Sequence, residues 1–142
     1  MSEECIFCKI IRGEIPSHKI YEDEHSFAFL DINPLADGHT MVIPKKHADQ
    51  LEDLPVEDTG KLFQGVHRVS KALKNSMGAP ATTIGINNGE AAGQVVPHLH
   101  IHVVPRFSGD GGGHIHSIIQ AKITREFDEV ARSLQATIAK QD

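Results

Sequence analysis

Three histidines alternate with branched aliphatic residues in the run Pro97-His98-Leu99-His100-Ile101-His102-Val103-Val104. Extended backbone points successive side chains to opposite faces. A strand here therefore gathers His98, His100 and His102 on one face, with Leu99, Ile101 and Val103 on the other. An ordinary half-buried strand alternates apolar residues with assorted polar ones, whereas this run offers imidazole each time. Imidazole is the side chain whose unperturbed pKa lies near neutrality. It can be nucleophile, general acid or base, metal ligand or phosphate donor. The run reads either as three exposed strand histidines without a task or as the place where the chemistry resides, and the pattern favours the chemistry.

The remainder of the chain bounds what that chemistry serves. Its 142 residues suit one domain, 1–142, with a core that needs no staples. A net charge of −5 provides no basic field for duplex nucleic acid, so a nucleotide ligand must be held locally. No apolar run is long enough to span a bilayer, and Met1-Ser2-Glu3-Glu4-Cys5 lacks the basic and apolar character of a signal peptide. A cytoplasmic protein without membrane or nucleic-acid partners is expected. Cys5 and Cys8 are too close for a structural disulfide to be the first reading; such a pair is metal-binding or redox-active.

Periodicity predicts a short helix over Cys5–Arg12 closed by Gly13, and strands at Lys19–Glu22, Ser26–Asp31, Thr40–Pro44 and Thr82–Asn87. A long helix starts near Pro55, carries Leu62, Val66, Val69 and Leu73 at helical spacing, and ends at Gly78. The histidine strand ends at Pro105, Phe107–Gly113 is a glycine-rich loop, and Arg125–Lys140 is an amphipathic helix. The class is α+β, an antiparallel sheet with one long helix, a short N-terminal helix and a C-terminal helix.

The run His98–Val104 resembles the signature of the histidine triad (HIT) superfamily of nucleotide hydrolases and transferases, and the likeness extends beyond it. Phe7-Cys8-Lys9-Ile10-Ile11-Arg12-Gly13-Glu14-Ile15-Pro16 resembles the family's opening segment. Asp31-Ile32-Asn33-Pro34 with Gly38-His39-Thr40-Met41-Val42-Ile43-Pro44-Lys45-Lys46-His47 resembles its second block, and Asn87, Gly93-Gln94 and the triad form the third. The combination, over about residues 5–107, is most similar to the Hint-like, zinc-containing members of bacteria and archaea.

That resemblance implies attack of a histidine nitrogen on the α-phosphate of a purine nucleotide of the AMP type. A covalent nucleotidyl-imidazole forms and water then releases the nucleoside monophosphate. His100 matches the nucleophile. His102 and His39 would donate to the phosphate oxygens, and Gln94 would hold the phosphate or the attacking oxygen. Asp31 matches the ribose-binding aspartate, Asn87 lies near ribose or phosphate, and Phe7, Ile10, Ile15, Phe29 and Ile32 could wall the base. Read without the resemblance, Ile10, Ile15 and Phe29 are ordinary core and Asp31 an ordinary turn residue. No catalytic metal is required. The family's zinc-containing members also imply a structural Zn2+, one per chain, on Cys5, Cys8, His47 and His98. A homodimer pairing the long helix and a strand across a twofold axis is implied too.

One departure concerns Val95, which stands where the Hint-like pattern commonly has a hydroxyl residue thought to help protonate an amine leaving group. Pro105-Arg106 resembles the dinucleoside polyphosphate hydrolases, where Arg106 would meet a second phosphate or nucleoside; otherwise it is a solvated charge. The loop Gly109–His116 is either a cover for the leaving group or a surface loop. The alternatives to a nucleotidyl hydrolase are a dinucleoside polyphosphate hydrolase, a non-catalytic zinc-containing nucleotide-binding or scaffold protein, and a metal carrier. His18, His25, His67, His114 and His116 read as ordinary surface or loop histidines.

Overall fold

The computed structural model describes residues 4–141. Its chain divides into two compact units, Met1–Asp110 and Gly111–Asp142. The first unit holds a five-stranded antiparallel sheet in the order β1-β2-β3-β5-β4. Its strands are β1 (Lys19–Glu22), β2 (Ser26–Leu30), β3 (Thr40–Pro44), β4 (Ala81–Gly85) and β5 (Ile101–Arg106). Helix α1 (Ile6–Ile11) precedes the sheet and α2 (Val56–Ser76) follows β3. Among the described residues no helix is long and apolar enough to cross a membrane.

The two faces of the sheet divide the core. Ala28, Val42, Ile101 and Val103 face α2 and form one cluster with Leu62, Val66, Val69, Leu73 and Leu99. Those four helical residues recur every three or four positions, which aligns them along one side of α2. Gly65 lets α2 approach β2 closely: a Cβ there would stand 2.8 Å from Ser26 Oγ. The reverse face carries Phe27, Phe29, Met41 and Ile43, covered by Cys5, Phe7, Cys8 and Ile10 of the α1 segment. Met41 pairs with His102 across β3 and β5, so His102 lies on this reverse face. Both faces are covered at the centre, which is why β2 and β3 read as continuous apolar runs rather than alternating ones.

The histidine strand is shorter at its start than expected. Strand β5 begins at Ile101 and runs through Pro105 to Arg106, so only His102 of the three lies inside it. His98 and His100 sit in the lead-in, whose Leu99 N–H donates to Ala48 O at 2.7 Å. Pairing with β3 covers only Ile101–Val103, so Pro105 has a strand partner on the β4 side alone.

The second unit holds a 3-10 turn, Ile115–Ser117, and helix α3 (Phe127–Ile138). The stripe Phe127, Leu134 and Ile138 is exposed on it.

Candidate functional site: a cysteine–histidine cluster joined to a histidine pair

Helix α1 places both cysteines. Cys5 is its N-cap, and the Cys5 sulfur accepts the Cys8 N–H at 3.4 Å. That turn brings both thiols toward the end of β3 and the lead-in to β5. Cys5 Sγ lies 3.3 Å from His98 Nδ1, Cys8 Sγ 3.3 Å from His47 Nδ1 and 3.6 Å from His98 Nδ1. All four ligand atoms lie within 4.8 Å of one another. A tetrahedral ion with metal–sulfur bonds of about 2.3 Å and metal–nitrogen bonds of about 2.0 Å has sulfur–nitrogen edges of about 3.5 Å. Three of the four sulfur–nitrogen edges stand at 3.3, 3.3 and 3.6 Å, close to that value.

The protonation pattern also suits a metal. His98 Nε2 lies 2.9 Å from Pro44 O and His47 Nε2 lies 2.8 Å from Asp49 Oδ1. Both partners only accept, so both protons sit on Nε2 and both Nδ1 lone pairs face the thiols. Burial pushes His98 down to about 4, which keeps its ring neutral. The four residues named from the sequence are therefore together and can hold a metal.

The next two histidines form a different arrangement. His100 Nδ1 donates to His98 O at 2.8 Å, and the ring is 8% exposed. Since a carbonyl accepts, the neutral ring keeps its lone pair on Nε2, which has no partner among the described residues. Phe7 stands edge-on to both His98 and His100, at ring-centre distances of 5.8 and 5.2 Å, and fills the space between the two sites. The rings of His100 and His102 are 5.2 Å apart. His102 Nδ1 lies 2.9 Å from His39 Nε2, and Leu35 N–H donates to His39 Nδ1 at 3.0 Å. Burial lowers both His39 and His102, with the Asp31 carboxylate opposing it in each case. Asp31 Oδ2 is 3.5 Å from His39 Nε2, while its Oδ1 accepts the Asn33 N–H at 2.9 Å.

His39 has both ring nitrogens engaged inside the protein, Nδ1 with the Leu35 N–H and Nε2 with His102 Nδ1. Gln94 is engaged likewise: its amide nitrogen donates to Asp49 O and Val96 O, and its oxygen accepts the Gly89 N–H. The Gln94 side chain thus ties the loop before the triad to the segment after His47. Phe7 and Ile10 are core, Ile15 packs beside them, and their surface is taken up by Phe27, Phe29 and Met41. Ile32 is 80% exposed next to Asp31, and Asn87 is exposed beyond β4. Arg106 is not a loose charge, since its guanidinium meets both Asp110 carboxylate oxygens and Thr83 Oγ1.

Sequence reasoning missed Asp49, which holds His47 by its side chain and Gln94 by its carbonyl. A carboxylate two residues beyond a histidine ligand was the available signal. It also missed Pro44 O, His98 O and Leu35 N–H; backbone groups leave no mark in residue type.

Comparison with known proteins places this geometry. The HIT domain profile matches residues 12–109, and the chain belongs to the HIT family. It is 50% identical over 107 residues to an uncharacterized HIT-like protein of Methanocaldococcus jannaschii, covering 75% of this chain and 82% of that one. It is 43% identical to the adenylylsulfatase of Arabidopsis thaliana, over 78% of this chain and 56% of that protein. It is 44% identical to the adenosine 5'-monophosphoramidase of Saccharomyces cerevisiae, over 72% of this chain and 62% of that protein. Among solved structures it resembles a HIT family member from Bacillus subtilis, with TM-score 0.78, 38% identity and coverage of 99% and 98%. A zinc-bound histidine triad protein from Mycobacterium smegmatis matches with TM-score 0.73 and 38% identity, covering 96% of this chain and 94% of that one.

Proposed function

We propose that this protein hydrolyses the bond between the α-phosphate of an adenosine-type nucleotide and its leaving group, through a covalent nucleotidyl-His100 intermediate. The observation that carries the reading is the Nδ1–H bond from His100 to the His98 carbonyl, which leaves an outward lone pair on Nε2. The Nε2 pair attacks phosphorus in line, a nitrogen–phosphorus bond forms, and the bond to the leaving group breaks with its electrons. Water then displaces His100, giving the nucleoside monophosphate and the neutral ring. His102 Nε2–H donates to a non-bridging oxygen as charge develops. Gln94 and His39 serve by position, the first holding the loop and the second orienting His102. Asp31 accepts from the ribose hydroxyls, with Asn87 nearby, and the base lies against Ile32, backed by the Phe7, Ile10 and Ile15 core.

The named relatives act on adenylyl compounds that release sulfate or an amine, which supports an adenosine nucleotide as substrate class. Val95 is 89% exposed and has no proton to give, so leaving groups that depart as stable anions should turn over faster than amines. The Arg106 pairing with Asp110 and Thr83 leaves the dinucleoside polyphosphate reading without a ready phosphate contact.

In this reading one zinc ion occupies the Cys5, Cys8, His47 and His98 set. With four protein ligands there is no open position, so the ion is structural and His98 links it to the nucleophile's backbone. A second copy adds to the edge of β4, one of the two end strands of the sheet.

The test is single-turnover reaction with labelled adenylyl sulfate and adenosine phosphoramidate, quenched in alkali to preserve a phosphoramidate-linked enzyme. Label should stay with the wild-type chain and be absent from His100→Ala, which still binds AMP. Turnover by His100→Ala at the wild-type rate removes the proposal.

A further inference from the structure

We propose that the peptide N–H of Leu35 is a positioning group: it sets the tautomer of His39 and thereby makes His102 Nε2 the donor toward the phosphate. The inference rests on the reading of the site given above and adds the element that distinguishes two chemically identical rings.

The peptide N–H of Leu35 can only donate, so His39 Nδ1, 3.0 Å away, must carry a lone pair. The neutral ring then has its proton on Nε2. A doubly protonated ring is excluded while this bond stands, because Nδ1–H would face the Leu35 N–H. The His39 Nε2–H meets His102 Nδ1 at 2.9 Å, so that atom accepts. His102 in turn carries its own proton on Nε2. Asp31 Oδ2, 3.5 Å from His39 Nε2 and 3.9 Å from His102 Nδ1, favours a proton held between the two rings.

His100 is set by the opposite polarity. Its Nδ1 faces a carbonyl, so its outward nitrogen is a lone pair. One backbone acceptor thus makes a nucleophile of His100, and one backbone donor, relayed through His39, makes a hydrogen-bond donor of His102.

The relay has two states. Without the Leu35 N–H, His39 can protonate on Nδ1 and accept from His102 Nδ1–H. His102 Nε2 would then present a lone pair to an anionic phosphate oxygen, and attraction would become repulsion. The loop around Leu35 is built to hold one state. Asp31 N–H donates to His39 O at 2.9 Å, His39 N–H to Ala36 O at 3.0 Å, and Asn33 N–H to Asp31 Oδ1 at 2.9 Å. Gly38 closes the loop at φ +94°, and a Cβ there would meet Leu73 Cδ2 at 2.9 Å.

The same lock bears on metal binding. Asp31, His39 and His102 bring three ligand-type atoms within 4.8 Å, as the cysteine cluster does. A proton occupies the space between the two rings, however, whereas both Nδ1 lone pairs of the cysteine cluster converge.

The experiment uses the full-length, zinc-loaded protein with nitrogen-15 histidine and long-range proton–nitrogen correlation at neutral pH. His39 and His102 should be Nε2–H tautomers and His100 the Nδ1–H tautomer. Incorporating leucic acid at position 35 converts that amide to an ester and removes only the N–H. His39 should then populate the Nδ1–H tautomer, and kcat should fall about tenfold or more with KM within about twofold, as expected for a weakened transition-state donor. Leu35→Ala keeps the N–H and should keep the Nε2–H tautomer in both rings. A wild-type His39 protonated on Nδ1 overturns the proposal, and so does an ester variant that keeps its tautomers and its kcat. Should the wild type turn over no nucleotide, the functional reading fails while the tautomers still decide this one.

Discussion

Leu99 lies between His98 and His100 and faces the opposite way, into the α2 core, where it is 1% exposed. Replacing Leu99 with alanine removes about three buried carbon groups, worth about 2.4 kcal/mol at about 0.8 kcal/mol each. The cavity adds to this. If the cluster around Leu54, Leu62 and Ala48 does not collapse, a residual volume of about 50–80 Å3 adds about 1–2 kcal/mol. The expected loss is therefore about 3.5–4.5 kcal/mol. The chain contains no tryptophan, so far-ultraviolet circular dichroism against urea is the suitable assay, at equal free zinc for both proteins. The midpoint should fall with the slope unchanged. The Leu99 N–H bond to Ala48 O remains possible in the variant, so the lead-in should loosen rather than be lost. A loss below about 1 kcal/mol would refute the claim that the histidine run is anchored by its aliphatic face.

The remaining predictions are independent of that one. Metal analysis of protein prepared without chelator should give one zinc per chain, Cys8→Ser should lose it, and His102→Ala should keep it; less than a tenth of an equivalent in the wild type removes the zinc reading. Asp23 concerns acid stability. Burial would raise its carboxyl, but hydrogen bonds from Tyr21 Oη–H, the His25 and Ser26 N–H groups and Ser26 Oγ–H outweigh it and hold the group at about 2. Because the folded value lies below the unfolded one, the contribution is present above about pH 4 and is lost as pH falls toward 2. The shift bounds it at about 2.5 kcal/mol, and screening at a partly solvated carboxylate reduces it to about 1 kcal/mol. Urea titrations of wild type and Asp23→Asn should differ by that amount at pH 7 and converge near pH 2; a constant difference across the range would contradict it.

Much of the fold was legible because periodicity reports burial directly. Strands β1 and β3 lie where short apolar stretches bounded by turn residues put them, and α2 carries the expected stripe Leu62, Val66, Val69 and Leu73. The start of β5 was not legible, since alternation cannot tell a paired strand from an extended lead-in bonded to Ala48. The cluster of Cys5, Cys8, His47 and His98 could be named from residue types and family likeness, because thiol and imidazole are sparse and distinctive groups. The engaged state of Gln94 and the burial of Phe7 could not, because an amide or an aromatic ring serves ligand and core equally well, whereas Ile10 reads as core once the resemblance is set aside.

The sequence by itself determined which chemical groups are available: two thiols one helical turn apart, imidazoles at alternating positions, and an aliphatic set that places them on the opposite face. Only the tertiary structure decided which nitrogen of each imidazole is engaged. His98, His100 and His102 are identical as side chains, and which nitrogen stays open depends on which backbone atom or ring meets the other one. Pro44 O meets His98, His98 O meets His100, and the Leu35 N–H meets the His39 ring that bonds His102. Every residue other than proline carries the same N–H, and all carry the same carbonyl, so only folding can say which of them stands beside a ring.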